Sequence, residues 1–167
     1  MMFKIGERVV HPQHGVGKIV KLENREFEPG KPHKYYEISI PDGSTIWAQV
    51  DNPKSGLRHL AARSEIAECR KILVDKPISV MIDGHVRQSD LVVRLKQGTI
   101  AAQCEVVRDL SAFLAHKPPS GTNAAFLDAI QGVLCQEWAI VEGIPIDEAT
   151  NEINSLLEKS RSTAASK

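Results

Sequence analysis

The sequence lacks a CxxC pair, and its three cysteines, Cys69, Cys104 and Cys135, stand far apart. That excludes a disulfide framework or a thiolate zinc ribbon and suits reduced thiols that behave as small buried hydrophobes. An excess of charge is also missing, with 21 basic and 21 acidic side chains in 167 residues. A chain that coats nucleic acid or membrane by bulk electrostatics is thereby excluded, and any DNA contact has to be local. No apolar run approaches the ~18 residues that suggest a membrane span. The expectation is a soluble cytoplasmic protein with no membrane partner. The glycines never fall in a phosphate-binding spacing: GVGKIV, residues 15–20, has neither the glycine interval of a P-loop nor the Ser/Thr after its lysine. No serine sits in a glycine-rich elbow, and each cysteine lies inside a helical pattern, so neither a triad nor an activated thiol is suggested. Asp42, Asp51 and Glu105 read as turn and surface acids. The chain is therefore read as a non-enzyme without cofactor.

What is present begins with HPQHGVGKIV, residues 11–20. A metal centre on His11 and His14 needs further ligands, and His33, His59, His85 and His116 form no ligand spacing with them. Local physics favours a tight strand connection. Pro12 fixes its φ and ends one strand, Gly15 and Gly17 permit positive φ or a bulge, and the next strand starts at Val16.

Residues 1–58 read as β-structure. ERVVH, VGKIVKLENREFE, HKYYEISI and STIWAQV are rich in β-branched and aromatic residues, and HPQHG, EPGKP, PDGS and DNPKSG supply turns. Several short antiparallel strands predict a small barrel or a strongly bent sheet. From residue 59 the period changes to threes and fours, giving about five helices punctuated at Asp75 with Pro77, Gly84, Gly98, Pro118 to Gly121, and Gly143 with Pro145. Ile146, Ala149, Ile153, Leu156 and Leu157 make one stripe of the last helix. The fold class is α+β in two domains, 1–58 and 59–159. Residues 160–167, SRSTAASK, are expected to be a disordered tail.

Two groups of side chains could serve a partner. Arg25 and Trp47 lie on strands at either end of the β-segment, and a tryptophan in a short alternating strand is either core or an exposed anchor. In GHVRQSDLVVRLKQG, His85, Arg87, Arg94 and Lys96 outnumber Asp90 and could reach phosphates from a helix, or form an ordinary solvated face. Trp138, among Leu134, Ile140 and Val141, reads as core.

The start MMFKIGERVVHPQHGVGKI, then Arg25, then TIWAQVDNPKSGLRHL resembles the N-terminal RNA polymerase interaction domain shared by CarD and CdnL regulators and the transcription-repair coupling factor. LKQG, EVVRDL and VLCQEWAIVEG extend the resemblance through the helical part, to about residues 2–158. It implies a Tudor-like β-domain that docks through an edge strand on the β subunit of bacterial RNA polymerase, with Arg25, Ile46, Trp47 and Ala48 at the docking positions. It further implies a helical domain that meets promoter DNA, with His85, Arg87, Arg94 and Lys96 as the contact residues of a monomeric, weakly DNA-binding regulator. The family's best-known members place a tryptophan before the first basic helix as a minor-groove wedge. Here that place reads DGHVRQ, and Gly84 and His85 occupy it.

Overall fold

A computed structural model describes residues 3–12, 14–52, 55–82, 85–115 and 121–165. The first third of the chain forms a five-stranded antiparallel sheet of β1 (Arg8–His11), β2 (Gly15–Glu28), β3 (Lys31–Ser39), β4 (Thr45–Gln49) and β5 (Arg58–His59), in the order β4-β3-β2-β1-β5. Among the described residues β4 and β5 do not pair, so the sheet is open and the closed barrel expected from the strand pattern is not formed. A register shift between Ile19 and Lys21 marks an irregularity in β2. Alternation places Val9, Ile19, Tyr36, Ile38 and Ala48 in one buried cluster on the inner face, with Phe3, Leu22, Ile46 and Leu57 packed against it. Gly17 belongs to that packing: a Cβ there would lie 2.6 Å from Ile38 Cγ2.

The helical part comprises α1 (Arg63–Val74), a two-residue hairpin of β6 (Met81–Ile82) and β7 (His85–Val86), α2 (Gln88–Leu95), α3 (Ile100–Leu114), α4 (Thr122–Glu142) and α5 (Ile146–Ala165). Five helices match the 3.6-residue period, whereas β5 and the β6–β7 hairpin are too short to carry a periodic signal. Local chemistry sets several ends. Thr99 Oγ1 accepts from the Ala102 N–H at 3.1 Å at the start of α3, and Gly143 closes α4 at φ 68°. The helices share one core, in which Ile66, Cys69, Leu73, Cys104, Leu110, Leu134, Trp138 and Ile153 are fully buried. By length and composition alone α4 could cross a membrane; Ile130, Leu134 and Trp138 instead make it the central core helix.

Helix α5 continues through Ala165, which corrects the disordered tail expected from residue 160 onward. Ser160 is buried and its Oγ donates to the Asp75 carbonyl at 2.6 Å, while Arg161 Nη1 donates to Ser111 Oγ at 2.9 Å. Composition misled because the anchors are a serine and an arginine, not large apolar residues. Residues 166 and 167 lie outside the described residues.

The two parts are joined by more than the chain. Val10 and Val16, on the outer face of the sheet, pack with Val133 of α4, and the Val16 N–H donates to Gln136 Oε1 at 3.1 Å. A Cβ on Gly15, whose φ is +89°, would stand 2.5 Å from that same Oε1. β1 ends at His11 and β2 begins at Gly15, as a tight strand connection requires, and the residues flanking it are also the piece of sheet pressed against α4.

Candidate interaction surfaces

On the outer face of β2, β3 and β4, pleating and register bring together side chains far apart in sequence. Arg25 pairs with His33, Glu23 with Tyr35, Tyr35 with Gln49, and Glu37 with Trp47. The Arg25 guanidinium lies 4.4 Å from the centre of the Trp47 ring and is held by Glu23 Oε1 at 2.8 Å. Phe27 reaches the same group, with ring centroids 5.9 Å from Trp47 and 4.9 Å from Tyr35. Phe27 remains 55% exposed, and Trp47 is half-buried under its neighbours. A cation over an indole, framed by partly exposed aromatics, can serve as a preassembled contact surface: the rings supply area with few rotamers to freeze, and the guanidinium keeps donors for a partner's carboxylate or carbonyl. Beside it runs β4, a sheet edge that pairs only with β3 among the described residues, leaving one side of its main chain open to another strand.

Sequence reasoning found Arg25 and Trp47 but not Phe27, Tyr35 and His33, which belong to the same face. The signal was there in part, since Phe27 follows Arg25 at the strand interval of two. Ile46 and Ala48, expected at the docking strand with Trp47, lie on the other face of β4. Ala48 is 8% exposed in the inner cluster and Ile46 packs against it, because residues flanking an outward Trp47 in a strand must point inward. Ala48 has little side chain to offer a partner, whereas Ile46 remains half-exposed.

In the helical part the four proposed phosphate contacts have different fates. Arg87 is exposed at the start of α2, and Lys96 is exposed just past its end, beside Gly56 and Pro12. Arg94 is not free: its Nη2 meets Asp109 Oδ2 at 3.2 Å. Asp109 is 2% exposed and also accepts from Arg108 Nε at 2.8 Å and from the Ile78 N–H at 3.0 Å, tying α2, α3 and the segment after α1 to one carboxylate. His85 forms part of β7, and its side chain, like the whole of Gly84, lies outside the described residues.

A second buried carboxylate holds the two parts of the molecule in register. Glu137 of α4 is fully buried; its two oxygens accept from Arg58 Nη1 and Nη2, both at 2.7 Å, and Oε2 also accepts the Ala61 N–H at 2.8 Å. Arg58 Nη2 further reaches Gln103 Oε1 at 3.2 Å. The forked geometry satisfies both charges where water is excluded. Near the same junction, His11 Nδ1 accepts the His14 N–H at 3.2 Å. Burial, then the nearby His14 and Lys96, push the His11 imidazole down to about 4, so it is neutral at pH 7. Among the described residues no group of three His, Cys, Asp or Glu side chains is arranged to hold a metal ion. Burial raises the Cys104 thiol well above its ordinary value, with Cys69 as its neighbour, and raises that of Cys135, so neither carries the thiolate that nucleophilic chemistry needs.

Residues 3–61 match the CarD-like/TRCF RID domain, and residues 69–154 match the CarD C-terminal domain. The chain is also 27% identical over 145 residues to the Bacillus subtilis (strain 168) protein named "Putative transcription factor YdeB", covering 86% of this chain and 94% of that one. The two matched domains follow each other in the order of sheet and helices described above, and the chain belongs to the CarD family of transcription-related proteins.

Proposed function

We propose that the protein docks on the β subunit of bacterial RNA polymerase through the outer face of β2–β4 and the open edge of β4, and modulates the open promoter complex through weak contacts from its helical domain. The observation that carries this reading is the Arg25–Trp47 stack, framed by Phe27 and set beside an unpaired strand edge, on the part of the chain that matches an RNA polymerase interaction domain. Main-chain pairing along β4 supplies affinity, and the stack fixes register. Docking raises the effective concentration of promoter DNA at the helical domain, so a few phosphate contacts from Arg87 and Lys96 suffice in a chain without net charge. The action takes place in the bacterial cytoplasm, on a monomer.

The test is a binding titration of purified protein against the polymerase β-subunit lobe. Saturable binding weakened at least tenfold by Arg25→Glu and by Trp47→Ala is the expected result. No binding at high micromolar lobe would overturn the docking reading.

A second reading keeps the polymerase and replaces promoter DNA by another protein. It is favoured by the commitment of Arg94 to Asp109 and by Val93, which is 66% exposed on α2. Arg87→Gln with Lys96→Gln separates the two. Loss of the effect on open-complex lifetime supports DNA contact; an unchanged effect that Val93→Asp abolishes supports the adaptor.

A further inference from the structure

We propose that the groove between the β1–β2 hairpin and α4 is a docking site for an acidic, extended protein segment that carries one apolar side chain. The groove has a volume of about 260 Å³ and is lined by residues of β1, β2 and the end of β3 together with Gln136 and Ile140 of α4. Its rim carries Arg8 and Lys18, which are direct cross-strand partners in the antiparallel ladder, and no acidic residue lines it. Like charges placed directly opposite on one sheet face repel. Neither has an ion-pair or hydrogen-bond partner among the described residues, although both are exposed and 21 acidic residues were available to evolution elsewhere in the chain. Two exposed cations held side by side, with no acid in the lining of the groove, offer charge complementary to an anionic ligand.

The remaining walls say which kind. Val16, Pro41 and Ile140 form an apolar side, and Ile140 is 38% exposed beside the buried Trp138 and Ala139. Ser39, the cross-strand partner of Lys18, presents a free hydroxyl, and Gln136 retains its amide nitrogen as a donor because its oxygen is occupied by the Val16 N–H. A duplex is too broad to enter a cleft between two domains of this size, and its phosphates would leave the apolar side uncovered. Single-stranded nucleic acid stacks on aromatic rings, and none lines the groove. Carboxylates on the two cations, with an aliphatic side chain against Ile140, satisfy every wall.

The experiment is a titration of the full chain, followed by backbone amide NMR shifts, with a synthetic ten-residue peptide of aspartate and glutamate around one central leucine. Shifts confined to residues 8, 16–18, 39, 40, 136 and 140 are expected, with at least a tenfold loss of affinity in Arg8→Gln/Lys18→Gln. The same double variant is expected to melt at the same or a higher temperature than wild type, because it removes a repulsion; a purely structural role for the two cations would lower it. Absence of shifts at millimolar peptide, shifts elsewhere, equal binding of a peptide with lysine in place of its acids, or the same shifts produced by a 20-base-pair duplex would each overturn the proposal.

Discussion

The exposed cations of the sheet and those that face the helical core are held in opposite ways. Arg25, Arg8 and Lys18 stand on the sheet's outer face, where the first meets only a partly exposed glutamate and an indole and the others meet no acid at all among the described residues. Arg94, Arg108 and Arg58 end on Asp109 and Glu137, carboxylates that solvent hardly reaches. The difference separates two uses of one residue type. A guanidinium on a buried carboxylate fixes the position of helices, whereas one on an open sheet face keeps its donors for a partner.

The comparison breaks hardest at the junction. Glu137→Ala leaves Arg58 and the Ala61 N–H without their acceptor in a dry site, and a loss of about 3–5 kcal/mol in chemical denaturation is expected. Removing the Asp109 carboxylate as Asp109→Ala strips three donors at once and is expected to cost about 3 kcal/mol by the same measurement. A stability loss under 1 kcal/mol for either variant would place these carboxylates with the surface pairs.

A smaller effect comes from His11. Its folded value of about 4 lies below the ordinary 6.5, so the unfolded chain binds the extra proton between those limits. The stabilisation is complete above pH 6.5 and drains as pH falls toward 4, by roughly 2 kcal/mol once partial exposure is discounted. A melting profile over that range checks it, and His11→Asn, whose amide oxygen can still take the His14 N–H, is expected to flatten the slope. On the sheet face the order reverses: Trp47→Ala is expected to cost the polymerase lobe about 1.4–2 kcal/mol of binding while changing stability by less than 1 kcal/mol. The smallest effect distinguishes two neighbours on α2. Arg94→Gln lowers stability by about 1 kcal/mol through its lost charged hydrogen bond, whereas Arg87→Gln, at an exposed position, leaves stability within ~0.5 kcal/mol.

Much of the architecture could be read from periodicity. RSEIAECRKILV carries threes and fours with an acid near its start and a lysine near its end, and α1 occupies those twelve residues. The alternation in TIWAQV likewise divides Trp47 from Ile46 and Ala48. What sequence does not show is pairing at long range. EVVRDL offers Arg108 and Asp109 as an ordinary charged doublet, and nothing nearby tells that Asp109 gathers Arg94 and the Ile78 N–H. The Arg58–Glu137 fork spans 79 residues and is invisible to any window of helix or strand length. The choice between a small barrel and a bent sheet stays open in the sequence for a related reason: strand count and turn chemistry set hairpins, while closure depends on whether the two outermost strands meet.

The turn pressed against α4 also has a consequence for how the chain acquires its shape. The Val16 N–H waits for Gln136, 120 residues later, and Ala61 waits for Glu137. During synthesis the sheet leaves the ribosome long before α4 exists, with Val10 and Val16 uncovered and Arg58 unanswered. Closing contacts of such separation are slow, and the wait exposes an apolar hairpin to association. The first 61 residues made alone should therefore fold less cooperatively and aggregate more readily than the whole chain, so the polymerase-docking unit reaches its final form only when the last third of the protein has been made.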